Sequence, residues 1–515
     1  MWRSSTTHET WQVAGAAAIS LILIVSVGCE SVPDVTPSNS AGPSPSISVS
    51  PPTPSPGTTL TPTPAPTVTG TPTIEPTSTP TATPTPTPTP PPSLAPSPTP
   101  VSGESQLVMD INPHRASSNP TELTAVGDQV FFVADDAVHG AELWKTDGTA
   151  AGTVMVKDIR PGAQSSGPAW LTAVGNTLFF VANDGSKDKT QLWKSDGTVG
   201  GTVRVSNIVN YDYVGPYGLD VEVPPVAVGA QLFFFNTYCC VGGANLYVSD
   251  GTAAGTRRAD NEDDYLTTPD ADAAAYDGKL YFANYSPDSD LFGTVLWVSD
   301  GTVAGTHPLA GSPIVSEINI LPASGQNLYF AAYNDVDYEV HIQLWKTDGT
   351  ATGTQPLTSL GEVPSGAAYM SKRLYFVSDG LWKSDGTAAG TQPISDGGGD
   401  FLTAAGGHLY FARAGHLWIS DGTPGGTADL VTFGGLWPRQ IVAVGNETCF
   451  AVQNWDAKTW QLWESDGTLA GSYPVKSFVN PDTEAEGPLG AAVGGRFFFA
   501  ADDGVHGAEL WSYTP

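Results

Sequence analysis

Cysteine is scarce in this chain: 515 residues hold four, at Cys29, Cys239, Cys240 and Cys449. None of the spacings is that of a zinc site or a redox motif. The adjacent Cys239-Cys240 reads as two free thiols at a strand end, and Cys449 as strand packing at a place where other repeats have Phe or Tyr. Positive charge is scarce too, with 21 Lys and Arg against 52 Asp and Glu and a net charge of −31. Such a surface repels phosphate backbones, so no nucleic-acid partner is expected. The local motifs of common enzymes are also missing: no Gly-x-Ser-x-Gly elbow, no His-Glu-x-x-His, no phosphate loop and no Cys-x-x-Cys. Past residue 105 no helical periodicity competes.

What is present begins with an apolar run from Val13 to Gly28, 16 residues long and ending at Cys29. It is shorter than the ~20 residues that span a bilayer and suits the core of a signal peptide. Val25-Ser26-Val27-Gly28-Cys29 resembles a bacterial lipobox, although Ser26 replaces the usual aliphatic residue and Arg3 is the leader's one base. Residues 1–29 are therefore expected to be a lipoprotein-type signal with Cys29 as the lipidation site. Residues 30–104 are almost entirely Pro, Thr and Ser and cannot bury a core. They are expected to form a disordered, extended stalk.

From residue 105 a phrase repeats. Leu143-Trp144-Lys145-Thr146-Asp147-Gly148-Thr149 returns, whole or worn, with its aromatic at Trp144, Trp193, Tyr247, Trp297, Trp345, Trp382, Trp418, Trp463 and Trp511. A period of 36 to 54 residues means one supersecondary unit repeated. Each unit carries four strand-like segments. Segment a ends in a glycine turn (Leu123-Thr124-Ala125-Val126-Gly127), and segment b is apolar and aromatic (Val130-Phe131-Phe132-Val133). Segment c is the Leu-Trp phrase with its Asp-Gly turn, and segment d follows (Val154-Met155-Val156). Four antiparallel strands per unit are the blade of a β-propeller. The array starts in a segment d, Leu107-Val108-Met109-Asp110-Ile111, and ends in a segment c, Leu510-Trp511. The expectation is an all-β fold over residues 105–515: a single closed propeller of about nine blades, the last completed by the N-terminal strand.

On the Glu142-to-Thr149 phrase and Glu509-Leu510-Trp511, residues 106–511 resemble the bacterial ELWxxDGT-repeat proteins. The resemblance implies an exported, propeller-like surface protein and supplies no catalytic residues. Ser195-Asp196-Gly197-Thr198 is similar, as a turn only, to the Asp-box of sialidase-type propellers.

Repetition marks scaffold. Asp147, Asp196, Asp250, Asp300, Asp348, Asp385, Asp421 and Asp466 are expected to cap their own turns. One Asp per turn gives too few oxygens for calcium without help from other ligands, so no cofactor is expected, with repeated weak calcium sites as the alternative. His139 and His506 share the frame Asp-Asp-x-Val-His-Gly-Ala-Glu-Leu-Trp and read as repeated structure, with no metal expected. Irregularity falls on the other face, in the b-to-c and d-to-a loops. There Tyr211, Asp212, Tyr213, Tyr217, Tyr333, Asp335, Asp337, Tyr338, Trp455 and Trp460 place aromatics beside carboxylates, the chemistry of a carbohydrate site. The functional expectation is a monomeric, extracytoplasmic, lipid-anchored binding or adhesion module for a glycan or protein at the cell surface, non-enzymatic on balance. The alternatives are a propeller-type glycoside hydrolase or lyase, whose carboxylates would come from separate blades without a local motif, and a structural envelope component.

Overall fold

The computed structural model describes Gly103–Pro515 apart from residues 188, 213–214, 238–242, 262–265, 268–272, 288–292, 323–326, 337–338 and 480–489. The chain divides into two units, Met1–Ala95 and Pro96–Pro515, and every described residue is in the second. The leader, Cys29, the stalk up to residue 102, Cys239 and Cys240 lie outside the described residues.

Apart from a single-turn 3-10 helix at Pro424–Gly426, the described residues form strands and turns with no α-helix. The strands group into four-stranded antiparallel sheets in sequential order. The first is Thr121–Val126, Gln129–Asp135, Ala141–Thr146 and Val154–Lys157, which are segments a to d of the repeat. Eight more sets follow among the described residues, one of them with a fifth strand, Leu266–Thr267. The last two are joined through one residue pair, Val479 opposite Asp502. The final set, Gly490–Val493, Arg496–Asp502 and Ala508–Tyr513, takes its outer strand from Gln106–Met109, with Leu107 opposite Trp511.

Two features of the sequence set this architecture. Segment b is buried along almost its whole length, so it runs apolar rather than alternating. Its central Phe pairs directly with the aromatic of segment c in every sheet: Phe132 with Trp144, Phe180 with Trp193, Phe234 with Tyr247, Phe282 with Trp297, Phe330 with Trp345, Phe376 with Trp382, Phe411 with Trp418, Phe450 with Trp463, Phe499 with Trp511. A cross-strand aromatic pair contributes up to ~1 kcal/mol and fixes the register that places the following turn.

The core is divided between sheets. One cluster packs Phe131 and Val133 of the first sheet on Leu178 and Phe180 of the second, and further clusters join each later sheet to its successor. A ninth puts Val108, Phe498 and Leu510 of the last sheet against Val130 and Phe132 of the first. Neighbouring a strands are also tied by side chains. Thr124 Oγ1 donates to the Leu171 carbonyl at 3.2 Å, and Thr403 Oγ1 to that of Ile441 at 2.7 Å. At this point the a strand bulges through a left-handed residue, Glu122, Trp170, Phe401 or Gln440, at φ of 52–59°.

Candidate functional site

The repeated turn is closed on itself. In each of the eight Asp-Gly-Thr turns the Asp Oδ1 accepts from the Thr two residues on. The hydroxyl lies at 2.7–2.8 Å. The amide lies at 2.8–3.0 Å. That Thr hydroxyl in turn accepts from the later glycine amide, as Thr149 does from Gly152 at 2.9 Å. The aspartate packs onto this glycine so closely that a Cβ on Gly152 would lie 2.1 Å from the Asp147 carboxylate. The Thr hydroxyl bond, then the amide bond, holds the carboxyls of Asp196, Asp250, Asp300, Asp348, Asp385, Asp421 and Asp466 below the usual aspartate range. These eight aspartates cap turns, as their repetition suggests.

The two histidine frames are turns of the same kind on the opposite face. Asp136 accepts from the amides of Val138 and His139 and holds the His139 Nδ1 at 2.8 Å; Asp503 does the same for Val505 and His506. Among the described residues no group of three or more His, Cys, Asp or Glu side chains is placed to hold a metal ion. The glutamate of each frame is fully buried. Glu142 accepts from the Ile159 and Ser166 amides and the Ser166 hydroxyl. Glu509 accepts from the amides of Ile111, Asn112 and Ser118 and the Ser118 hydroxyl. Burial raises the carboxyls of both glutamates despite these donors.

One further carboxyl pair lies on the turn face. Glu464 accepts from the hydroxyls of Tyr473 and Tyr513, and Glu447 beside it is raised by burial and by the Glu464 charge. Cys449, between them in sequence, is fully buried with its thiol pushed well up by desolvation, a packed and unreactive position.

The aromatic residues expected on the loop face separate when placed. Trp460 is a core residue: 5% exposed, stacked 4.7 Å from Phe478 and edge-on to Phe499 of the next sheet. Its alternation along segment c points it between sheets, which its nearness to a loop in sequence does not show. Tyr333 is half-buried against the cluster around Tyr329 and Leu344. Tyr211, Asp212 and Tyr217 belong to a small hairpin, Asn210–Asp212 with Gly215–Tyr217, that interrupts the long d-to-a connection. Asp335 pairs with Val340 near the tip of a lengthened b-to-c hairpin. Tyr213, Asp337 and Tyr338 lie outside the described residues.

Trp455, on the b-to-c turn of the sheet spanning residues 437–479, is 39% exposed. It has company that sequence reading missed. Trp437 opens the a strand of the same sheet, Trp437–Val444, and is 48% exposed. Arg439, two residues on and so on the same face of the strand, holds its guanidinium 5.3 Å from the Trp455 ring centroid. Among the described residues it makes no ion pair. Phe401, at the bulge of the preceding sheet's a strand, is a third exposed aromatic at 39%. The available signal was the Leu436-Trp437-Pro438-Arg439 start of this strand, bulky and basic where the other a strands open on Thr121, Ala169, Val226, Ala273, Glu317, Gly366, Asp400 and Gly490.

No protein-family model matches the chain, and no curated protein matches it. Among solved structures it superposes loosely on a puromycin hydrolase, at 13% identity and a TM-score of 0.37, covering 78% of this chain and 61% of that one. A computationally designed protein, Ika8, gives 12% identity and 0.38 over 79% and 99% of the two chains. A chain from a study of two prolyl endopeptidases gives 12% and 0.38 over 76% and 55%. This chain thus spans less than two thirds of the length of the puromycin hydrolase and of the prolyl endopeptidase chain.

Proposed function

We propose that this chain is an exported, lipid-anchored surface protein of the ELWxxDGT-repeat kind, whose sheets close into one nine-bladed propeller that binds saccharide on its loop face. Ring closure is supported by the Gln106–Met109 strand completing the last sheet and by the cluster of Val108, Phe498 and Leu510 on Val130 and Phe132. The binding reading is carried by one observation. Trp437 and Trp455 stand exposed on one sheet with Arg439 stacked on the second ring, while the repeated aspartates are occupied in their own turns.

Exposed tryptophans present flat apolar faces that pack on the C–H face of a pyranose, and their low rotamer freedom keeps the entropy cost of binding small. A glycan array probed with the full chain, and with Trp437→Ala and Trp455→Ala, tests this. Each substitution is expected to weaken retention at least about tenfold while leaving the melting temperature within a degree or two, since neither ring is buried. Unchanged retention by both variants refutes the site.

A further inference from the structure

We infer that Gln453 is the specificity-determining residue of this face, and that its ligand is a neutral saccharide whose adjacent hydroxyls the Gln453 amide reads. This rests on the saccharide-binding reading above. Gln453 is 1% exposed, and neither its Oε1 nor its Nε2 has a hydrogen-bond partner. A glutamine amide offers two donors and two acceptors, and leaving all of them unmade in the interior is a standing cost to the fold. Residues that impose such a cost without a structural return cluster where a ligand supplies the missing partner.

The position fits. Gln453 pairs across the sheet with Trp437 on one side and Trp460 on the other, so its side chain shares their face. Arg439 extends from that face to the Trp455 ring. Trp455, on the turn that follows Gln453 along the chain, is held by this Arg439 stack. A pyranose seated between the two indoles would present an O–H donor and an adjacent O acceptor to Oε1 and Nε2. Arg439 acts here as a positioning residue for Trp455. The chain's net charge of −31 disfavours a polyanion, so a neutral ring is the ligand chemistry that this amide selects.

The test uses the full chain with neutral oligosaccharides (cello-, xylo- and manno-oligomers) and oligogalacturonate, reading affinity by calorimetry and stability by thermal unfolding. At least one neutral oligomer is expected to bind and oligogalacturonate to bind at least about tenfold more weakly. Gln453→Leu is expected to lower affinity for the neutral ligand at least about tenfold while holding or raising the melting temperature, because an unpaired amide is replaced by an apolar group of similar volume. Gln453→Glu, nearly isosteric, is expected to lose affinity through the lost donor. If Gln453→Leu binds like wild type, or if it sharply lowers the melting temperature, the amide is structural and the inference fails while the saccharide reading stands. Tighter binding of oligogalacturonate refutes the neutral class alone. Binding of no saccharide at all removes both readings.

Discussion

Replacing Glu509 by alanine probes how the first and last strands of the described residues are held together. Its carboxylate accepts from Ile111, Asn112 and Ser118 amides at 3.0, 3.3 and 3.0 Å and from the Ser118 hydroxyl at 2.6 Å, all supplied from residues 391–398 positions earlier. A hydrogen bond to a charged group contributes ~1.5–3 kcal/mol, and a buried donor left unpaired costs a comparable amount. The 3.3 Å bond is weak, and the Asn112 amide at the surface regains water, so the expected loss is about 3–5 kcal/mol rather than the sum over four bonds.

Glu142 is the internal control. It makes the Ile159 and Ser166 contacts with the same geometry, but its donors lie 17 and 24 residues away within one continuous stretch of chain. Glu142→Ala should therefore cost about the same in urea unfolding followed by Trp fluorescence. The two should differ in limited proteolysis. Glu509→Ala frees Gln106–Met109 and the segment to Ser118 for early cleavage, and Glu142→Ala leaves that segment protected. Burial holds the folded Glu509 carboxyl above its unfolded value of 4.5, so the folded state binds the extra proton. That contribution is complete below about pH 4.5 and is lost as pH rises through the folded value; Glu509→Gln should remove this component. If both alanine variants lie within about 1 kcal/mol of wild type, or if the two are cleaved alike, the clasp assigned to Glu509 is refuted.

Four further outcomes follow from the same geometry. Trp460→Ala should cost about 3–5 kcal/mol by opening the core between Phe478 and Phe499, in contrast to the exposed Trp455→Ala, which should cost well under 1 in denaturant unfolding. Gly152→Ala should destabilise by about 1–3 kcal/mol because its Cβ meets the Asp147 carboxylate at 2.1 Å, whereas Gly200→Ala, with open space around it, should be neutral or slightly stabilising. Asp300, Asp385 and Asp466 have folded values lowered from 3.8, so their stabilisation is present above about pH 4 and is lost as pH falls through the lowered values. Asp→Asn at Asp300, Asp385 and Asp466 together should shallow that acid limb in a pH titration of the melting temperature, and an unchanged limb counts against the capping account. Phe450→Ala should lower stability more than Tyr247→Ala, since Phe450 is fully buried and packs against both Trp463 and Phe433 while Tyr247 is only partly buried beside Phe234.

The repeat, its strand order and the role of its turn were legible because they are local. The aromatic of segment c stands three residues before the aspartate of each Asp-Gly-Thr turn, and its pairing with the Phe of segment b sets strand register whatever the neighbours are. Thr149 and Asp147 are two residues apart, close enough to bond in any chain that turns there. Site reading failed where side-chain direction mattered. Trp455 and Trp460 are five residues apart beside one turn, yet the strand that begins at Thr459 points Trp460 into the seam between sheets. Arg439 and Gln453 carry no motif: a lone arginine and a lone glutamine in apolar strands look like ordinary surface residues until pairing sets them opposite Ala451 and Trp437.

By itself, then, the sequence determined nine repeated sheets and the eight Asp-Gly-Thr turns among them, because apolar strand runs, cross-strand aromatic pairing and turn chemistry act within about 50 residues of chain. Only the tertiary structure decided which side chains stand in water and which lie between sheets. It also decided that a glutamine paired across the sheet with the exposed Trp437 is buried with no hydrogen-bond partner for its amide. Those facts depend on contacts between residues distant in the chain, where burial is set by the packing of one sheet on the next and is not written in any single repeat.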